Sequence, residues 1–338
     1  MTAGKRLLAW WKPILTVFVA AAVLFSGSSF WIYNATIVAI YAIAIVGLNI
    51  LVGLAGQVSF AQTGFMAVGG YVLAIFTVSF HWDPWLALLL AVAGAGIVAA
   101  LFGWPLLRLR GHYLTMATFA LGMGVYALAT GANFMGGAVG ISAIPPLAIG
   151  PVSFASPVPA FLLAFGLFAL STALFSVLRN SPVGRGWRAL SVREDAAASI
   201  GVPSLRYKIA AFALSAMLGA VSGALYVNFT TYVGPDLYSS TIIVNPFLML
   251  FIGGLESPYG SLVGAAVVLV IPELISGLAN IEGLIFDMVL LAVIILRPEN
   301  RTLGRRIVSS IRQPSPVIGS GGSAEAAGES AGNERGRG

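Results

Sequence analysis

The sequence predicts an all-α protein, a polytopic bundle of about ten transmembrane helices with the N-terminus and C-terminus both cytoplasmic. Three observations carry that expectation. Of 338 residues, 58% are hydrophobic and 9% are charged, which leaves too little polar surface to coat a soluble globule. Asp, Glu, Lys and Arg are absent from Pro13 to Trp82 and again from Gly111 to Leu178. Each interval must hold several spans, because one span takes about 20 apolar residues. The basic residues then cluster before, between and after these runs in a way that puts them all on one side of a membrane.

Taken in order, the expected spans are residues 13–32, 35–52, 59–80, 85–107, 113–131, 157–178, 208–229, 241–255, 259–278 and 283–297. Residues 1–12 form a cytoplasmic N-terminus, residues 13–300 a transmembrane domain with a loop at 179–208, and residues 301–338 a cytoplasmic tail. Beyond 313 the tail is a Gly- and Ser-rich low-complexity stretch, expected to be disordered. Lys5 and Arg6 before the apolar run from Ile14 to Phe25 imitate a signal peptide. Apolarity continues through Trp31, Ile32 and Tyr33 without a small-x-small site, so the run reads as an uncleaved first span.

If the spans alternate from an inside N-terminus, Lys5, Arg6, Lys12, Arg108, Arg110 and the seven arginines from Arg297 onward share one side with the basic residues of 179–208. The positive-inside rule makes that side the cytoplasm. The far side holds Asp83, Asp236 and Glu282 and no basic residue, so these acids are the candidate contacts for an external partner. Trp10, Trp11, Trp31, Tyr33, Trp82, Trp85 and Trp104 fall near span ends, as interfacial anchors do. The outer loop 132–156 carries Gly136, Gly137, Gly140, Pro145, Pro146, Gly150 and Pro151, which discourage regular structure. It is long enough to cap the bundle or to meet something arriving from outside.

Two segments stand out from the apolar background. The first is the only internal cluster of charge: Arg179, Arg185, Arg188, Arg193, Glu194, Asp195, Arg206 and Lys208. Glu194 and Asp195 are followed by small residues and Gly201, as in a short surface helix suited to docking on a partner. Ser191 through Glu194 also fits a capping box. The second runs Gly53-Leu54-Ala55-Gly56-Gln57, with Asn49, Gln57, Ser59, Gln62 and Thr63 around it. Such groups are costly in hydrocarbon unless they face protein or a watery path. They either line a translocation path at a helix break or make hydrogen bonds between helices. The pairs Gly64 with Gly69 and Gly219 with Gly223 read as close-packing surfaces.

Five blocks in order resemble the branched-chain amino acid ABC transporter permeases. They are Leu54 to Tyr71, Arg108 to Thr118, Gly136 to Ile141 with Pro145, Ser181 to Leu190 with Arg193, Glu194, Gly201 and Lys208, and Gly253-Gly254-Leu255 with Gly260, Gly264 and Arg297-Pro298. The resemblance covers about residues 35–300. The chain departs from it at Gln62, where the family often has His, at Glu256, where it often has Gly, and at Ser261, commonly Pro.

The resemblance implies that Arg185, Arg188, Arg193, Glu194, Asp195, Ala196 and Gly201 form the contact with ABC ATPase subunits. It implies a second homologous permease subunit and an external substrate-binding protein as partners, in the lipid bilayer of a cell inner membrane. Branched-chain or other hydrophobic amino acids are the implied cargo; urea, short amides and aromatic acids are carried by related permeases.

Other chemistry finds little support. No phosphate-binding Gly-x-x-x-x-Gly-Lys-Ser/Thr loop occurs, so ATP must be hydrolysed by a separate subunit. The two histidines, His81 and His112, follow no metal-ligand spacing, and the absence of cysteine rules out disulfides and thiolate sites. No metal, cofactor or nucleic acid is expected, and the chain is not an enzyme. Glu273 and Asp287 are the deepest carboxylates, which keeps an ion-coupled secondary transporter as a rival.

Overall fold

The charge-free stretch after Ser28 folds as one long helix, α1 (Ser29–Asn49), which widens into a π-turn at Ile50–Leu54. The computed structural model describes residues 27–109, 111–199 and 201–275, together with Ala21 and Leu24. In the π-turn the Ala55 N–H donates to the Ile50 carbonyl at 3.2 Å, and the Gln57 N–H reaches back to Leu51 at 3.0 Å. Gly56 then stops the chain with φ +68°, a conformation that costs a residue with a side chain about 1 kcal/mol or more.

The chain returns as α2 (Gln62–Val78) and continues through α3 (Pro84–Leu106) and α4 (His112–Gly131). After a loop come α5 (Pro157–Asn180), the short α6 (Pro182–Val192) and α7 (Glu194–Ser199), and the 27-residue α8 (Ser204–Thr230). A 3₁₀ turn at Pro235–Tyr238 leads into α9 (Ser240–Ile243), α10 (Asn245–Gly253) and α11 (Pro258–Ile275).

α8 is the axis of the bundle and packs on α1, α2 and α3, while α5 and α11 lie against α1 and α10 pairs with α11. Small residues set these distances: a Cβ on Gly69 would collide with the Ala220 backbone, and one on Gly223 with the Met66 carbonyl. Gly64 meets Gly122 and Gly219 meets Gln62 and Phe65 in the same manner. Close approach of this kind is how helices associate where lipid removes the hydrophobic driving force. The outward surface is apolar too, with Leu86, Leu89, Ile97 and Leu101 on α3, Met116 on α4, and Leu162, Leu170 and Val177 on α5 all exposed. Among the described residues, five helices are long and apolar enough to cross a membrane: Ser29–Leu54, Pro84–Leu106, His112–Gly131, Pro157–Asn180 and Ser204–Thr230.

The boundaries differ from expectation in places. α1 starts at Ser29, so residues 29–32, expected at the end of a first span, belong to the helix of the expected second span, 35–52. The segment expected as a span at 241–255 is split, and its longer part, α10, has nine residues; at 1.5 Å per residue that is about 14 Å, half of a hydrocarbon core. Residues 283–297 and most of 13–32 lie outside the described residues. The loop 132–156 is also more ordered than its glycines and prolines suggest. β1 (Ile141–Ser142) pairs antiparallel with β4 (Tyr232–Val233), and β2 (Ala148–Ile149) with β3 (Val152–Ser153) around Gly150 and Pro151. α8 holds this loop through Asn228, whose Oδ1 accepts the Leu147 N–H at 2.6 Å and whose Nδ2 donates to the Phe154 carbonyl at 3.2 Å. The Trp85 indole N–H adds a bond to the Ala148 carbonyl at 2.9 Å.

Candidate functional site

The end of the bundle opposite this cap gathers four connections: the turn after α1, the α3–α4 turn, the segment 181–203, and the turn between α10 and α11. Ser181 begins the third of these. Its hydroxyl accepts the Gly184 N–H at 3.1 Å and Pro182 follows at the first helical position, a standard helix start. α6 lays one face on the bundle, with Gly184, Gly186, Trp187 and Leu190 buried. Trp187 is fully enclosed, and its indole N–H donates to the Tyr207 carbonyl at 2.8 Å, which fastens α6 to the start of α8. Gly186 is needed because a Cβ there would run into the Tyr207 ring. Arg193 is extended and separates α6 from α7.

The residues expected to touch a partner divide by this packing. Arg185, Arg193, Asp195, Ala196 and Gly201 are exposed. Arg188 is half-buried and donates to the Arg179 carbonyl at 3.1 Å. Glu194 forms a 2.7 Å ion pair with Lys208, a buried cation on α8. The capping box expected at Ser191 does not begin a helix. Ser191 is still within α6 and its hydroxyl donates back to the Arg188 carbonyl at 2.9 Å, because the chain breaks two residues later at Arg193.

The polar cluster around the helix break is brought together, with its members turned inward to differing degrees. Asn49 is fully buried. Its Oδ1 accepts the Glu256 N–H at 2.8 Å, and its Nδ2 donates to the carbonyls of Gly254 and Ser257, both at 3.3 Å. Gln62 bridges helices: Nε2 donates to the Ala44 carbonyl on α1 at 2.8 Å and to Ser215 on α8, whose hydroxyl returns a 2.9 Å bond to Oε1. Ser59 is buried and its hydroxyl accepts the Ala61 N–H at 3.2 Å, while the Thr63 hydroxyl is buried without a hydrogen-bond partner among the described residues. Gln57 alone is partly exposed.

Two further contacts join this turn to α6 and α5. A Cβ on Gly56 would stand 2.8 Å from the Ser191 Cα, so the end of α6 rests directly on the turn. Glu256, held at φ +58°, pairs with Arg179 at the end of α5 at 3.2 Å. Arg188, Arg179, Glu256 and Asn49 thereby form one continuous chain of contacts from the surface segment to the buried end of α1. Trp187, Arg179 and Glu256 were not among the site residues expected from sequence. The opposite charges of the last two, at predicted inner span ends, were the available signal.

At the capped end, Asp83 is the N-cap of α3 and accepts the N–H groups of Trp85 and Leu86 at 2.9 and 3.4 Å. Asp236 is exposed in the 3₁₀ turn, and Glu282 lies outside the described residues. Burial pushes the hydroxyl of Tyr238, two residues on from Asp236, well above the ordinary tyrosine range, so it stays neutral.

A family model described as the branched-chain amino acid transport system / permease component matches residues 30–297. The high-affinity branched-chain amino acid transport system permease protein LivM of Escherichia coli is 28% identical over 289 residues, covering 78% of this chain and 68% of that protein. A probable branched-chain amino acid transport permease protein LivM of Methanocaldococcus jannaschii is 29% identical over 201 residues, 56% of this chain and 55% of its own. The LivH permease protein of Salmonella typhimurium is 23% identical over 290 residues, 80% of this chain and 93% of its own. No solved structure shows a significant match.

Proposed function

The chain belongs to the branched-chain amino acid transport system permease component family, and from that membership we propose that it is the membrane-spanning permease of a binding-protein-dependent ABC importer. Its cargo on this reading is a branched-chain amino acid, as in the names of the relatives, or another hydrophobic amino acid. It works beside a second homologous permease, two ABC ATPase subunits and an external binding protein, in the cell inner membrane. It makes and breaks no covalent bond itself. The topology that goes with this has about ten spans, cytoplasmic termini, and a cytoplasmic tail from residue 301.

The observation that carries the coupling role is the double attachment of 181–199. One side of α6 is fixed to the bundle by Trp187 and by the contact of Ser191 with Gly56. Arg185, Arg193, Asp195 and Ala196 face outward and offer the ATPase a mixed-charge surface. A push on that surface reaches the turn after α1 directly and the α10–α11 turn through Arg179 and Glu256. Movement of those turns would shift Gln57, Ser59, Gln62 and Thr63 relative to the cargo path, which is how closure of the ATPases would switch the bundle between outward-open and inward-open states. The acids Asp83, Asp236 and Glu282, with the ordered loop 132–156 beside the first two, are the surface for the binding protein.

Co-reconstitution with the ATPase subunits and binding protein tests the reading. Leucine uptake that requires ATP and survives an ionophore is expected. Uptake abolished by the ionophore and indifferent to ATP depletion identifies an ion-coupled transporter instead.

A further inference from the structure

A cavity of about 470 Å³ opens beside the 181–203 segment, between the turn after α1, the start of α4, the α7–α8 junction and α10. That volume lies within the range of about 300–1,000 Å³ common for small-molecule sites. Its lining combines two kinds of group. The polar part includes Lys208, 2% exposed, with one of its three N–H donors taken by Glu194 at 2.7 Å. It also includes the N-terminal turn of α4, from Gly111 to Thr115, which has no side-chain cap. The first N–H groups of a helix lack partners within it, and together with a cation they favour a carboxylate. The apolar part of the lining is Phe60 and Phe247, with ring centroids 4.7 Å apart, together with Val58 and Leu114. Gln57, whose amide N–H₂ donates to the Ala55 carbonyl at 3.2 Å, and the Glu194 carboxylate supply oxygens on the rim.

We propose that this cavity binds a free amino acid with an apolar side chain at the ATPase-facing end of the permease. The carboxylate sits on Lys208 and the α4 N-terminus, the ammonium faces Glu194 and Gln57, and the side chain rests on Phe60 and Phe247. The proposal rests on the importer reading and names where the cargo is held last before release. Because Lys208 and Glu194 join the coupling segment to α8, an occupied cavity also places the cargo against the piece of chain on which the ATPase acts.

The test is equilibrium binding of radiolabelled leucine to the purified full-length permease in nanodiscs, without the external binding protein. Saturable binding is expected. Leucinol, which lacks the carboxylate, and 4-methylpentanoate, which lacks the ammonium, should each compete at least about tenfold more weakly than leucine, the loss expected for one charge-assisted bond. Lys208→Gln should weaken leucine binding by a similar factor. Thr115→Trp, which fills the cavity from α4 and leaves Glu194 and Lys208 themselves unchanged, should abolish it and covers the case in which the lysine variant fails to fold. Equal competition by leucine and leucinol, binding unaltered by both substitutions, or no saturable binding overturns the proposal. So does a cavity that is protected from labelling only when the ATPase subunits are added, since its occupant would then be protein. ATP-dependent leucine uptake by the assembly from the same preparation separates the two failures: uptake without inner binding refutes the cavity alone, and loss of any ATP-dependent uptake refutes the importer reading.

Discussion

The side chain of Asn49 at the end of α1 accepts the backbone N–H of Glu256, 207 residues later, at 2.8 Å, and donates to the carbonyls of Gly254 and Ser257 on either side. One buried amide thus closes the α10–α11 turn over the start of the π-turn. Gly53 leaves the room for it, since a Cβ there would collide with the Asn49 amide oxygen.

Asn49→Leu removes three hydrogen bonds and strands the part-buried Glu256 N–H and Ser257 carbonyl, while the Gly254 carbonyl keeps the Ser257 N–H. Each stranded group costs about 1–3 kcal/mol, so the variant should lose several degrees of thermal stability in detergent. Asn49→Asp keeps the acceptor for Glu256 but loses both donors and buries a charge, and should be no better. Size-exclusion thermostability of the three proteins checks this; equal midpoints would mean that the turn is held by other contacts.

Glu256 separates strain from attachment. A non-glycine residue at φ +58° carries about 1–3 kcal/mol of backbone strain, while its ion pair with Arg179 is exposed and worth at most about 1 kcal/mol. Glu256→Gly should therefore match or exceed the parent in stability and still lower the uptake supported per ATP hydrolysed, because the side-chain link to Arg179 is gone. Glu256→Ala keeps the strain and loses the link, so it should be the less stable variant. Uptake per ATP equal to the parent in both would remove Arg179 and Glu256 from the transmission route.

The polar cluster gives a graded labelling pattern in this cysteine-free chain. Cysteine at Gln57, partly exposed beside the cavity, should react with a small water-soluble thiol reagent in every nucleotide state. Cysteine at Ser59, Gln62 or Thr63, each 2–3% exposed, should react only when ATP binding or hydrolysis rearranges the bundle. If those three stay unreactive in all states, they pack helices and do not line the path.

Asp83 has two roles that one substitution would confuse. Its neutralisation removes the α3 cap, worth about 0.5–2 kcal/mol, as well as any charge offered to the binding protein. Asp83→Ser keeps a capping oxygen without the charge. Combined with Asp236→Asn and Glu282→Gln, it should slow association of the binding protein at low salt and flatten the salt dependence, with little change in dissociation. An unchanged on-rate would show that docking does not use these acids.

Much of this was legible in the sequence because the bilayer imposes simple rules. Long charge-free runs and breaks at Gly, Pro and Asp83 place α3, α4 and α5 to within two residues. Charge marked the break between α5 and α8, but the expected bounds 179–208 took in the end of α5 and the start of α8, where Lys208 is buried. Contacts between distant residues left no such trace. Nothing local in Asn49 points to Glu256, and Gln62 reads equally as a path residue or as the bridge to Ala44 and Ser215 that it makes. The division of 241–255 into α9 and α10 was hidden because Pro246 suits the first turn of a new helix as well as a kink in an old one. The β1–β4 pair at the capped end was masked by composition, since its two-residue ladder depends on partners about 90 residues apart.

The measurement that bears most directly on the coupling account is ATPase stimulation and ATPase co-purification for substitutions within 185–201. Ala196→Trp is the cleanest, because Ala196 is exposed on α7; Glu194→Lys, which sets a like charge against Lys208, and Gly201→Trp accompany it. The account predicts that all three reach the membrane in normal amounts but lose leucine uptake, together with cargo-stimulated ATP hydrolysis or the yield of co-purified ATPase. Unchanged yield and unchanged stimulated hydrolysis in all three variants would contradict it and move the ATPase contact elsewhere on the chain.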